Sequence, residues 1–260
     1  MSMVKLELTQ INGHQIANII IDRADKYNAL SQAMWQQLYD YCQQLDNEIK
    51  PRVVLIKAAG EKAFCAGADI NELTDIITDE QRMQDNNAIV QQAQMALQTL
   101  SAPTIALING VCMGGGMGIA LACDFRIAAE HAKFAITPSK LGLLYSIEDT
   151  RRVVNTLGMA RAKELLYLGK TISAQTALEW GMLTAMVSVD DLLESAQQLA
   201  EQLTQVSGYS ISGMKQTIAF VADDQHRQQQ IRALFDGAFS GADFEEGAQA
   251  FLQKRAAKFR

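Results

Sequence analysis

No run of lysine and arginine interrupts this 260-residue chain, whose 23 basic and 29 acidic residues leave a formal charge of −6. An extended nucleic-acid footprint is therefore not expected, and only a local basic pocket stays open. Cysteine is scarce too. Cys42, Cys65, Cys112 and Cys123 form no CxxC pair and have no histidine at zinc-site spacing. They read as reduced, buried thiols, not as a disulfide frame or metal site. The N-terminal residues lack the apolar core of a signal peptide and the Arg/Ser-rich character of a transit peptide, and no apolar run is long enough to span a membrane. The expectation is a soluble cytoplasmic protein. His14, His131 and His226 fall in a turn, a loop and a polar helix with no nucleophile motif beside them, so none is a catalytic candidate.

What is present fills a core. Hydrophobic residues make up 48% of the chain, ample for one large domain or one domain with an appendage. Residues 4–8 alternate apolar and polar, Asn12-Gly13 signals a hairpin turn, and 16–21 reads as a second strand. A polar loop at 22–30 runs into Ser31, an N-cap for a helix. Its apolar positions Met34, Trp35, Leu38, Cys42, Leu45 and Ile49 recur at helical spacing as far as Pro51. Residues 53–56 form a short apolar strand, and 63–70 (AFCAGADI) a small-residue loop where a ligand can approach the backbone. A helix follows at 87–100 and is broken at 101–103. Further on, 125–129 and 133–136 read as strands, 137–145 as a loop, and three helical patterns lie between 149 and 181, the third capped by Ser173. After a strand at 184–187 the pattern is helical, around 192–203, 214–221, 231–239 and 244–251. Alternating strands and helices with a helical tail predict an α/β core at 1–190 and a helical region at 191–260 that serves an oligomer interface.

The chain is organised around 104–124 (TIALINGVCMGGGMGIALACD). A strand-type run passes through Asn109-Gly110, and three glycines then open an apolar helical segment. The first N–H groups of a helix lack intrahelical partners and carry the positive end of its dipole, so they favour an anion or an oxygen becoming one. Gly114, Gly115 and Gly116 present no side chain to keep a ligand carbonyl away. The other reading is that the glycines only let the helix pack closely on the sheet. A dinucleotide fingerprint fails on spacing, because it would need glycine at Ile119 or Leu121, and no Lys-Ser or Lys-Thr pair follows to make a P-loop.

Four stretches in this order resemble the crotonase, or enoyl-CoA hydratase/isomerase, superfamily: 21–30 (IDRADKYNAL), 63–70, 109–124 and 243–255 (DFEEGAQAFLQKR). The resemblance covers essentially the whole chain. It implies an α/β spiral of ββα turns with a C-terminal α-helical oligomerisation region, assembled as trimers or as hexamers of two trimers. It further implies a coenzyme A thioester as substrate, with no other cofactor, its carbonyl lying between the backbone N–H groups of Ala68 and Gly115. Coenzyme A would run past Lys26, Ala66, Asp69 and Ile70, and Lys254 could reach the phosphates of a neighbouring subunit's ligand. A merely solvated charge stays open for either lysine.

The chain departs from the family where the carboxylates belong. Hydratases place one glutamate two residues after the triple glycine, which here is Gly118, and a second at the position of Pro138. Several isomerases use the position of Ser146 instead. With all three empty, standard two-glutamate hydration is disfavoured. Isomerisation, decarboxylation, thioester hydrolysis, an atypical hydration, or binding of CoA esters without turnover stay open. The loop 137–145 resembles that of methylmalonyl-CoA decarboxylase, which makes Tyr145 a catalytic candidate, and Glu148 is the nearest carboxylate that could replace a lost one. Against these stand a packed aromatic for Tyr145 and a helix cap or solvated ion pair for Glu148.

Overall fold

The computed structural model describes residues 3–76, 79–141 and 143–223, and beyond them 242, 246, 250, 253, 255 and 258. The chain opens with a hairpin, β1 (Val4–Ile11) and β2 (His14–Ile21), closed by Asn12 and Gly13, both at positive φ as the tight turn requires. After a 3₁₀ turn at Ala24–Lys26, Ser31 caps α1 (Gln32–Gln44) by accepting the Met34 N–H. Then come β3 (Val53–Ala58), β4 (Ala63–Cys65), α2 (Ile70–Ile76), α3 (Glu80–Thr99), β5 (Thr104–Ile108), β6 (Val111–Met113), α4 (Gly115–Ala122), β7 (Phe125–Ala129) and β8 (Lys133–Ala135). The second half holds α5 (Ile147–Leu168), β9 (Thr171–Ser173), α6 (Ala174–Glu179), β10 (Ala185–Val187), α7 (Leu192–Thr204) and α8 (Gly208–Asp223).

Two sheets result, one in the order β1-β2-β3-β5-β7-β10 and one in the order β4-β6-β8-β9. Each of the pairs β3/β4, β5/β6 and β7/β8 sends its first strand to the large sheet and its second to the small one. Helices follow each pair before the chain returns, which produces a spiral of ββα turns. The central strands read as unbroken apolar runs because both faces are covered. Alternation puts Val54, Ile56, Ala106 and Ile108 in the core beneath α1, α3 and α4. Val53, Leu55, Ile105 and Leu107 face the other way, against Leu192, Ala196 and Ala200 of α7.

Several expectations change in detail. β4 is a three-residue strand inside a stretch that reads as a loop, β6 and β9 are three-residue strands where none was expected, and α3 begins at Glu80, earlier than its apolar stripe suggests. The first two helical patterns after 149 are one element, α5, kinked at Gly158, which stands at φ 70° and ψ 166°. The helix expected at 231–239, most of that at 244–251, His226 and Lys254 lie outside the described residues.

Candidate functional site: two backbone donors above a buried polar cluster

Two loops meet at the centre of the molecule, and β4 and β6 bring them there. These strands pair in parallel with Cys65 opposite Cys112, so Ala68 and Gly115 each stand three residues beyond a matched pair. The Cβ that Gly67 lacks would lie 3.7 Å from the Gly115 nitrogen, and that of Gly115 would lie 3.9 Å from the Gly67 carbonyl carbon.

The orientation of Ala68 follows from its pairing. Leu30 N–H donates to Gly67 O at 2.8 Å and Asp69 N–H to Leu30 O at 3.0 Å, forming a parallel bridge between Leu30 and Ala68. In such a bridge the residue between the two bonded ones turns its own N–H the other way. The loop is further pinned by Asn28 Nδ2, which donates to Ala59 O and Ala63 O at 2.9 and 2.7 Å, and by Ala66 N–H, which donates to Tyr27 O at 3.0 Å. Arg23 pairs with Asp69 at 2.6 Å, and both side chains are largely buried. Burial pushes the Asp69 carboxyl up, but hydrogen bonds from Arg23 and the Asn71 N–H outweigh it and hold the group below its ordinary value.

Gly115 is the first residue of α4, and Gly114 before it adopts φ 50°, ψ −111°, a conformation open to glycine. The Gly114 carbonyl accepts from Gly118 N–H and from the Tyr145 hydroxyl, both at 3.1 Å. Because the peptide is trans, fixing that carbonyl aims the Gly115 N–H in the opposite direction. Trp35 is 2% exposed and lies beneath, its Cζ2 2.9 Å from where a Gly115 Cβ would be. Among the described residues neither the Ala68 nor the Gly115 N–H has a hydrogen-bond partner. An acceptor oxygen that enters this space meets unpaired backbone donors, one of them at a helix start.

A family model described as enoyl-CoA hydratase/isomerase matches residues 12–260. The chain belongs to the enoyl-CoA hydratase/isomerase family. It is 30% identical to a crotonyl-CoA hydratase of Syntrophomonas wolfei and 32% identical to a 1,2-epoxyphenylacetyl-CoA isomerase of Escherichia coli, covering 94% of both chains in each case. The crystal structure of an enoyl-CoA hydratase from Bacillus anthracis superposes with a TM-score of 0.90 at 33% identity, over 99% of this chain and 98% of that one. The spiral of ββα turns is therefore the crotonase fold, and the chain belongs among enzymes that act on acyl-CoA thioesters.

In this family member the remaining sequence candidates are dispersed. Lys26 is exposed on the 3₁₀ turn beside an open cleft of about 450 Å³ lined by Ala24, Asp25, Asn28, Gly60 and Lys62. Ala66 is exposed above it, and Ile70 opens α2. Tyr145 is half-buried; desolvation first, and the Asp149 charge second, push its phenol well above the ordinary value. Glu148 lines a separate cavity with Arg151, Gln98, Leu121 and Phe220, between α5 and α8.

Behind α4 lies a cluster that sequence reasoning missed. Asp149, 4% exposed, accepts from Arg152 Nη1 at 2.8 Å on Oδ1, and from Gln91 Nε2 at 3.0 Å and Ser146 Oγ at 2.9 Å on Oδ2. Arg152, 5% exposed, also donates to Gln94 Oε1 and Gln98 Oε1 at 2.8 and 2.7 Å. The available signal was three glutamines at helical spacing on the face of α3 that otherwise reads as apolar. Arg152 follows Arg151 in the sequence, and nothing local separates the buried arginine from the exposed one.

Proposed function

We propose that the chain is an acyl-CoA enzyme that receives the thioester carbonyl between the Ala68 and Gly115 N–H groups and stabilises the charge that oxygen acquires as an enolate or tetrahedral adduct forms. The observation that carries this is the approach of two loops whose backbone donors have no partner among the described residues. Loss of one such donor costs about 2.7–4 kcal/mol of transition-state stabilisation in comparable sites. Coenzyme A would lie along the cleft beside Lys26, past Ala66, Asp69 and Ile70, with Lys254 as a contact to a neighbouring subunit's ligand. The apolar side chains that α8 exposes, among them Tyr209, Met214, Ile218 and Val221, suit a homotrimer or a hexamer of two trimers.

Acetoacetyl-CoA tests the donor pair. Its enolate absorbs in the near ultraviolet where the keto form does not, and paired donors favour the enolate. Saturable binding with an enolate band, lost in Ala68→Pro, is the expected result. Ala68 N–H has no partner among the described residues, so the substitution removes a donor from the site without breaking a structural bond seen there. Binding without the band would leave a CoA-ester-binding protein and sink the oxyanion assignment.

A further inference from the structure

Gly118 lies three residues beyond Gly115 on α4, so the two are neighbours on one helix face, about 5–6 Å apart at the Cβ positions. A side chain at 118 would project from that face, but its space is taken. A Cβ there would fall 2.9 Å from Asp149 Oδ1 and inside the contact distance of Gln94 Nε2. A carboxylate and an amide, contributed by α5 and α3, stand where a side chain at 118 would begin.

Both groups keep unused hydrogen-bonding capacity on that side. An ionised carboxylate offers about four lone-pair positions. Three of Asp149's are filled, two on Oδ2 and one on Oδ1, so the open one belongs to the oxygen nearest Gly118. Gln94 is fully buried, its Oε1 engaged by Arg152, and among the described residues its Nε2 has no partner; nor has the buried Oε1 of Gln91 beside Asp149. An unsatisfied buried amide costs about 1–3 kcal/mol, so these atoms call for an occupant. An open acceptor beside an open donor matches an O–H oxygen, which gives to one and takes from the other.

We propose that Asp149 and Gln94 hold a water molecule beside Gly118 and that Asp149 is the single carboxylate of an unconventional hydratase. This rests on the thioester reading above. With an enoyl thioester on Ala68 and Gly115, the water accepts from Gln94 Nε2 and donates to Asp149 Oδ1. Its oxygen bonds to C3 while its proton passes to Asp149, and the C2–C3 π electrons move to the thioester oxygen as an enolate. Asp149 then returns the proton to C2 as the enolate collapses. The sum is one water added across the double bond. Arg152, Gln91 and Ser146 position the carboxylate and do not touch the substrate.

The test is hydration of crotonyl-CoA by the full chain, followed as loss of the conjugated thioester's absorbance, with binding of butyryl-CoA measured in parallel. Asp149→Asn, and Asp149→Asn combined with Arg152→Gln so that no buried charge is left alone, should lower kcat by about 100-fold or more while butyryl-CoA affinity holds. Gln94→Met, which keeps the shape and removes the donor, should cost about tenfold in kcat. The proposal is overturned if the wild type binds butyryl-CoA but adds no water. It also falls if the double variant keeps turnover within about twofold, or if Glu148→Gln produces the loss instead. Failure to bind butyryl-CoA would overturn the thioester reading itself.

Discussion

An alanine at 118 would place its methyl carbon against Gln94 Nε2 and 2.9 Å from Asp149 Oδ1, so the amide would have to give way. Gly118→Ala should therefore destabilise the protein by about 1–3 kcal/mol, read as a lower urea midpoint at unchanged slope. An unchanged midpoint would mean that Gln94 swings aside freely. Tyr145 makes a different prediction. Its phenol titrates above the ordinary value near 10, so the hydroxyl stays a donor to Gly114 O across the neutral and mildly alkaline range. Because the folded value is raised, the stabilisation from the protonated phenol is complete below the unfolded value and is lost as pH rises through the folded one. A spectrophotometric titration should show this phenol ionising after the exposed tyrosines, and ionisation with them would contradict the packing. The two loops that carry Ala68 and Gly115 were legible in the sequence as small-residue and glycine patterns, and the role proposed for their N–H groups came from the family resemblance. Gln94 and Asp149 were not, because their meaning depends on α3 and α5 meeting across α4.

Ser31 shows what is legible in an element. A serine before an apolar periodicity announces a helix start, and its hydroxyl does accept from Met34 N–H. Ser31→Ala should cost about 1 kcal/mol in thermal or urea unfolding. The loops at 22–30 and 63–70 are legible as polar and small-residue segments, yet nothing local says that Arg23 and Asp69 will join them. Since the Asp69 value is depressed in the fold, its stabilisation is present above the ordinary carboxylate value of about 3.9 and drains as pH falls through the depressed one. Between pH 5 and the acid limit, Asp69→Asn should flatten the loss of stability with pH; an unaltered slope would show that the pair contributes nothing. β4, β6 and β9 were hidden for a related reason. Three residues carry no period, and their strand character comes from partners 22 to 48 residues away.

At the scale of the whole molecule, the order of strands and helices was enough to predict an α/β core, because long apolar runs and a 3.6-residue period survive any tertiary context. The burial of the cysteines was legible as well. All four are free and buried, and desolvation above all pushes the thiols of Cys42, Cys65 and Cys123 up to about 12. Since the thiolate is the reactive form, a thiol reagent at pH 8 should label the native protein negligibly and all four sites in denaturant. Rapid labelling without denaturant would mean that the core opens.

The pairing of Cys65 with Cys112, which follows a register shift after Ala63, has one more consequence. Parallel strands sit about 4.8 Å apart whatever side chains they carry, and Ala68 and Gly115 hang at equal offsets from that pair. The sheet thus sets where the two loops start, while the turn at Gly114 and the bridge between Leu30 and Ala68 set where the two N–H groups point. On the reading proposed above, substitution can leave position 118 of α4 without a carboxylate, supply one from α5 or reshape the acyl end without moving the two loops that would hold the carbonyl. A chain built this way can exchange its chemistry while its handle on the substrate stays constant.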